Sequence, residues 1–326
     1  MTPQPPPDPR ATRAYDDNGL LQILFGPNNA HLERIERQLG VSLTTRGNTV
    51  TATGPAAKVE EACGVLDVLY VRLSKGFPVE AADVDAALRM GPDIASGETT
   101  PVIVTRKRHV QARSVGQAEY IRAMDRHELV FGLGPAGTGK TYLAVAKGVS
   151  LMIAGEVDRI ILSRPAVEAG ERLGFLPGDL REKVDPYLRP LYDALHDMLP
   201  GDQVVKKLAA GDIEVAPLAF MRGRTLANAF VILDEAQNTS SVQMKMFLTR
   251  LGEHSRMVVT GDPSQIDLPP GQRSGLDDAL EALAGMDDVG IIRFTDRDVV
   301  RHGLVARIIR AYETRERRRS AAKETS

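Results

Sequence analysis

Apolar residues along this chain recur in two rhythms, and the change between them divides it. Residues 1–18, beginning Met-Thr-Pro-Gln-Pro-Pro-Pro-Asp-Pro, follow neither rhythm and read as a disordered leader. From 19 to 90 the predicted elements are short and of mixed type. Leu20-Leu-Gln-Ile-Leu-Phe25 reads as a strand, and Gly26-Pro27-Asn28-Asn29 as a turn whose last residue can cap a helix. Leu32, Ile35 and Leu39 then recur at helical spacing and stop at Gly40. Residues 41–45 and 49–53 alternate about Arg46-Gly47-Asn48, which predicts a hairpin. Val59, Ala62, Leu66, Leu69 and Leu73 stripe one face of a second helix. The expected order is strand, helix, hairpin, helix: a small α+β unit.

Residues 91–113 lose all periodicity and collect Gly, Ser, Thr and Pro before Arg106-Lys107-Arg108-His109 and Arg113, so they read as a basic linker. From 114 to 313 apolar runs alternate with helical stripes. Strands are expected at 128–133, 159–163, 213–217, 230–234, 256–260 and 290–294, and helices at 141–154, 179–199, 240–251, 275–284 and 298–313. That alternation predicts an α/β domain with a parallel sheet between helices. Residues 314–326 form a charged tail.

Composition narrows the class without deciding it. The 326 residues are 43% apolar and 26% charged, with 41 Lys+Arg against 43 Asp+Glu, so the global charge does not advertise a polyanionic partner. The lone cysteine, Cys63, excludes an intramolecular disulfide and a cysteine-based zinc cluster. The N-terminus lacks the apolar core of a secretory signal, and no apolar run approaches the ~18 residues that span a bilayer. A cytoplasmic protein with no membrane contact is expected.

The candidate chemistry is concentrated after the strand at 128–133. Gly134-Pro135-Ala136-Gly137-Thr138-Gly139-Lys140-Thr141 is a complete P-loop, with an apolar run before it and Leu143-Ala-Val-Ala opening a helix after it. Gly137 and Gly139 let backbone N–H groups turn inward around a phosphate, and the helix beginning near Lys140 directs its positive end there. Lys140 can reach the β- and γ-phosphates, and the Thr141 hydroxyl suits Mg²⁺. Phe230-Val-Ile-Leu-Asp234-Glu235 is an apolar strand ending in two carboxylates, Asp234 placed for Mg²⁺ and Glu235 for polarising an attacking water. After the next strand, Thr260 and Gln265 are candidate sensors of the γ-phosphate, and Asp262 a relay. Gln117, before the P-loop strand, has an amide that can donate to and accept from the edge of adenine.

The small unit resembles a KH-type RNA-binding domain, in which a GxxG loop clamps a nucleic-acid backbone. Its loop, Gly26-Pro27-Asn28-Asn29, lacks the second glycine, though His31, Arg34 and Arg37 follow closely. A unit that serves packing or protein contacts is the alternative. The rest is similar to the PhoH-like ATPase family. The similarity rests on the P-loop, Ser163–Asp179, Met221-Arg-Gly-Arg-Thr225, Leu233-Asp-Glu-Ala-Gln-Asn238, Gly261-Asp-Pro-Ser-Gln265 and Asp298-Val-Val-Arg-His302, and runs from about 110 to 313. Gly303 and Pro263-Ser264 depart from the family's usual residues, at positions outside the assigned chemistry.

That resemblance implies a RecA-like core akin to superfamily 1 helicases. In it Lys140 and Thr141 hold phosphate and magnesium, Asp234 and Glu235 form the Walker B pair, and Gln265 senses the γ-phosphate. It further implies a role in RNA metabolism and an association with a YbeY-like endoribonuclease. One RecA-like domain leaves the γ-phosphate without an arginine finger, so a homo-oligomer, a hexameric ring among the options, is expected to supply it. Arg164, Arg222, Arg224, Arg293, Arg297 and Arg301 are candidates, with Arg301 preferred. The leading expectation is an ATP-hydrolysing, RNA-acting helicase or translocase. An ATP-gated adaptor that recruits a ribonuclease is the second, and a small-molecule kinase the third.

Overall fold

The computed structural model describes residues 9–90, 101–165, 180–269, 271–300 and 315. The chain divides into two compact units, Met1–Val102 with Gln111–Ala118 and Ile103–Val110 with Glu119–Ser326.

In the first unit, β1 (Arg10–Ala14), β2 (Ser42–Arg46) and β3 (Thr49–Thr53) form an antiparallel sheet in the order β1-β3-β2. Helices α1 (Asn18–Phe25), α2 (Ala30–Leu39), α3 (Ala56–Ser74) and α4 (Ala81–Met90) complete it around a core containing Leu21, Ile35, Val50, Leu66 and Leu69. Two expectations are corrected here. The apolar run 20–25 is a helix: the Asp17 carboxylate caps it, accepting from the Gly19 and Leu20 N–H groups at 2.7 and 3.2 Å. Only Leu21 and Leu24 are buried, three residues apart on one helical face, while Ile23 is half exposed. The first strand instead comes from the stretch read as a leader, with Arg10 opposite Thr53 and Ala14 opposite Thr49. The hairpin falls where alternation placed it, with Arg46 opposite Thr49 and Gly47 at φ 59°. α4 had no counterpart in the expected order.

The stretch read as a linker contains a two-stranded ribbon, β4 (Val102–Val104) and β5 (His109–Gln111). Its basic turn is docked: Lys107 Nζ donates to the His196 carbonyl at 2.7 Å, and Arg108 lies 3.7 Å from Asp197.

α5 (Val115–Arg126) begins in the last segment of the first unit and continues into the second, where it is followed by β6 (Leu129–Leu133). Then follow α6 (Lys140–Ala154), β7 (Arg159–Arg164), α7 (Leu180–Met198), α8 (Gly201–Ala210) and β8 (Ile213–Pro217). β9 (Ala229–Leu233), α9 (Ser241–Leu248), β10 (Arg256–Gly261), α10 (Gly275–Ala282) and β11 (Val289–Arg293) complete the described elements. Among the described residues the six strands β6–β11 form one parallel sheet in the order β11-β6-β10-β9-β7-β8, a RecA-like P-loop core. The six strands lie within a residue of their expected positions at either end. α8 was not anticipated, and the helix expected at 298–313 falls almost wholly outside the described residues. No helix among the described residues is long and apolar enough to cross a membrane.

α6 lies against the sheet through Gly148, where a Cβ would stand 2.7 Å from the ring of the fully buried Phe230 on β9. Gly148→Ala is expected to cost about 1–3 kcal/mol by overpacking, read as a lower urea midpoint for this unit. An unchanged midpoint would mean that Phe230 can repack freely.

Register decides what meets at the sheet's carboxyl edge. Leu233 on β9 lies opposite Val259 on β10 and Ser163 on β7. The residues that follow those three are Thr260, Asp234 and Arg164, so they emerge together. Gly261 ends β10 opposite Leu133, the residue before the P-loop.

Candidate active site

The loop 134–139 hangs between the end of β6 and the start of α6. Its first residue is glycine for a packing reason: at φ 139°, a Cβ on Gly134 would stand 2.6 Å from the Phe294 carbonyl oxygen. Gly134 N–H donates to the Gly261 carbonyl at 3.1 Å, and Val300 N–H donates to the Gly137 carbonyl at 3.0 Å, so both loop ends are stitched down. The Thr138 hydroxyl, fully buried, donates to the Pro135 carbonyl at 2.9 Å. Gly137 and Gly139 are left-handed at φ 86° and 83°. Gly139 brings no side-chain cap to α6, so the N–H groups of Lys140 and Thr141 are those an anion would take.

Lys140 Nζ donates to the Gly134 and Pro135 carbonyls at 2.6 and 2.9 Å. Burial pushes the ammonium below the ordinary lysine range, while Asp262, Glu235 and Asp234 pull it the other way. Resting on neutral carbonyls, it has more to gain from the charged oxygens of a polyphosphate.

Asp234 follows β9 and is buried. One carboxylate oxygen, Oδ1, accepts from the Thr141 hydroxyl at 2.6 Å and the Thr260 hydroxyl at 2.7 Å. Because β10 runs between β6 and β9, Thr260 arrives in the gap between the P-loop helix and Asp234. This corrects the expectation that Thr260 senses a phosphate: its side chain has no exposure, and its hydroxyl is committed to orienting Asp234.

Glu235 turns away from its neighbour because its backbone is left-handed, φ 53° and ψ 40°. A residue with a Cβ holds that conformation at a cost of ~1–2 kcal/mol, and such strain collects at functional positions. Its carboxylate is held from two sides, by Arg164 Nη2 at 3.1 Å and by Gln237 Nε2 at 2.5 Å. The other end of the Gln237 amide accepts from Asp262 N–H at 3.0 Å. The Asp262 carboxylate in turn accepts from Gln265 Nε2 at 2.6 Å and from the Ser264 hydroxyl at 2.7 Å. One polar chain thus runs from Arg164 through Glu235, Gln237 and Asp262 to Gln265. Neither Gln237 nor the pairing of Arg164 was anticipated; Gln237 lay in plain view two residues after Glu235, but its partners depend on strand order.

These groups line one cleft of about 510 Å³. Gly137, Gly139, Lys140, Thr141, Arg164, Asp234, Glu235, Asp262 and Gln265 come from the P-loop and the sheet edge, and Pro190, Asp193, Ala194 and Asp197 from α7. The α7 residues had no sequence signal beyond a helical stripe. Gln117 is not among the lining residues; it is buried on α5, where its side-chain oxygen accepts from Arg113 N–H at 2.7 Å. Of the arginine candidates, Arg164 is tied to Glu235, and Arg224 is clamped by both oxygens of Glu214 at 2.7 Å. Arg222, Arg293 and Arg297 are exposed, and Arg301 lies outside the described residues.

The model of the PhoH family, described as PhoH-like protein, matches residues 109–313, more than half of the chain. The chain belongs to the PhoH-like family. It is 51% identical to a PhoH-like protein of Bacillus subtilis (strain 168) over 296 residues, 89% of this chain and 93% of that one. A PhoH-like protein of Mycobacterium tuberculosis (strain ATCC 25618 / H37Rv) is 50% identical over 300 residues, 90% of this chain and 85% of the other. Protein PhoH of Escherichia coli (strain K12) is 45% identical over 241 residues, 72% of this chain and 66% of that protein.

The site of this PhoH-like chain fits a magnesium nucleotide. Two left-handed glycines, an uncapped helix start and a buried lysine are a polyphosphate cradle. One carboxylate beside one hydroxyl is a donor set that suits Mg²⁺ when phosphates complete its shell.

Proposed function

We propose that this PhoH-like chain is an Mg²⁺-dependent ATPase that acts on RNA as a homo-oligomer, coupling hydrolysis to unwinding or translocation. The observation that carries the ATPase reading is the division of labour at Asp234 and Glu235. Adjacent in sequence, they are turned apart by the left-handed backbone of Glu235. Asp234 orders the Thr141 hydroxyl, and Glu235 joins the chain that ends at Gln265. Lys140, the Gly137–Thr141 backbone and Gln265 would hold the phosphates, and Thr141 with Asp234 would hold the cation, which supplies charge neutralisation. Glu235 takes the proton from an attacking water. With one RecA-like sheet among the described residues and Arg164 engaged within the cleft, a second copy would supply the arginine finger.

A second reading, an ATP-gated adaptor that brings a YbeY-like ribonuclease to RNA, is favoured by one observation in the KH-like unit. Of the three basic residues after its loop, His31 is buried with Nδ1 3.0 Å from the Leu24 carbonyl, and Arg34 is paired with Asp85. Only Arg37 stands exposed, so this loop has little positive charge to give to a backbone.

Steady-state phosphate release with and without single-stranded RNA separates the two. The motor reading expects several-fold stimulation by RNA. Turnover indifferent to RNA, with tight partner binding in one nucleotide state, would select the adaptor.

A further inference from the structure

Among the described residues, two buried side-chain polar atoms have no hydrogen-bond partner, the Ser163 hydroxyl and the Tyr120 hydroxyl. A buried donor left unpaired is costly, and such groups are rare in folded chains. Tyr120 lies on α5 with no exposure at all, and its ring meets that of Phe294 edge-on, with centroids 5.3 Å apart. The tip of the ring rests on Gly132 of β6. A Cβ there would stand 2.8 Å from the ring and 2.9 Å from the hydroxyl oxygen. Gly132 therefore makes room for that hydroxyl, two positions before the P-loop begins.

Register fixes what lies beside it. Gly132 is opposite Thr260 on β10, and residues paired in this way project from the same face of the sheet, ~4.8 Å apart. The Tyr120 hydroxyl, the Thr260 hydroxyl and the Asp234 carboxylate thus stand in a row across β6, β10 and the end of β9. The Thr260 hydroxyl spends its one proton on Asp234 Oδ1 at 2.7 Å, and its lone pairs take no proton from any described residue. Tyr120 is the reverse case, a donor with no acceptor. Burial and then the Asp234 charge push the phenol well above the ordinary tyrosine pKa, so it keeps its proton. A donor in want of an acceptor and an acceptor in want of a donor lie one strand apart, both fully buried.

From this complementarity, and resting on the Mg²⁺-nucleotide reading above, we infer that Tyr120 is a positioning residue of the cation site, whose hydroxyl donates to Thr260 when the site is loaded and so fixes Asp234 through it. A cation held by Thr141 and Asp234 pulls on the carboxylate, and Thr260 follows along its hydrogen bond. The hydroxyl held over Gly132 then gains its acceptor, and Thr260, polarised by it, binds the carboxylate more tightly. The unpaired hydroxyl belongs to the empty site, and its cost is relieved on binding. Tyr120 itself touches neither phosphate nor cation.

The test is Tyr120→Phe in the full chain, which removes the hydroxyl and keeps the ring. Its two readouts move in opposite senses. Without nucleotide the melting temperature is expected to rise by about 2–4 °C, because an unpaired buried donor is gone. The Mg²⁺ concentration that half-saturates binding of a fluorescent ATP analogue is expected to rise about tenfold, the loss of one hydrogen bond linked to a charge. In a Thr260→Val background, which lacks the acceptor, the same substitution should leave that concentration unchanged. An unchanged Mg²⁺ requirement in Tyr120→Phe alone would overturn the assignment, and so would a tenfold rise that persists in Thr260→Val. A lower melting temperature without nucleotide would also overturn it, showing the hydroxyl already bonded in the empty protein. Failure of the wild-type chain to bind the analogue with Mg²⁺ would overturn the nucleotide reading and this inference with it.

Discussion

Glu235→Gln is expected to lower kcat by about 10²–10⁴ while leaving nucleotide affinity within a few-fold of wild type. The substitution keeps the shape of the side chain but removes the lone pair that takes a proton. It touches none of the groups that cradle phosphate: Lys140, the Gly137 and Gly139 backbone and Thr141 contact other partners. Both current partners of the carboxylate, Arg164 and Gln237, are donors. A glutamine has a single acceptor oxygen, so one contact must open. That cost is small because the position is partly solvated, and it acts on the cleft rather than on the fold. Single-turnover phosphate release and equilibrium titration with a fluorescent ATP analogue read the two quantities separately. A kcat near wild type would remove Glu235 as the base and move attention to Gln265.

Asp234→Ala is expected to cost about a thousandfold in kcat/KM, ~4 kcal/mol, and to abolish the dependence of ATP affinity on Mg²⁺. Its Oδ1 is the only described acceptor for the Thr141 side chain and the short partner of the Thr260 hydroxyl. Removing it frees both hydroxyls, deletes a ligand for the cation and takes away part of the attraction that keeps Lys140 charged. Asp234→Asn separates these effects. Its side-chain oxygen can still accept from the threonines, so melting temperature should hold while Mg²⁺ dependence is lost. Asp234→Asn with wild-type kcat/KM would show that the carboxylate orders the threonines and nothing more.

The six parallel strands were legible because each is a short, nearly unbroken apolar run, as burial on both faces requires. Phe230-Val-Ile-Leu233 is fully buried along its length. The errors fall where burial is one-sided or absent. Leu20–Phe25 has enough apolar residues for either structure, and the deciding signal was polar: Asp17 accepting from two N–H groups of the next turn. β1, Arg-Ala-Thr-Arg-Ala, carries almost no apolar signature, since it is ordered by ladder bonds to β3. The P-loop could be read residue by residue because its chemistry is local. The pairing of Arg164 with Glu235 could not, because it exists only once β7 lies beside β9, and Thr260 was misassigned for the same reason.

The strand order has one more consequence, which bears on how the protein is made. The P-loop strand β6 pairs with β10 and β11, and both are encoded more than a hundred residues after it. At ribosomal rates of ~5–20 residues per second, β6 waits on the order of ten seconds for either neighbour to emerge. The Gly134 N–H and the Gly137 carbonyl wait as long, since their partners are Gly261 and Val300. A nascent chain therefore carries the whole phosphate-binding motif long before it can hold a phosphate. Nucleotide binding waits until β10 and β11 have emerged, and a ribosome stalled before β10 displays an apolar strand with both edges open, a ready substrate for chaperones.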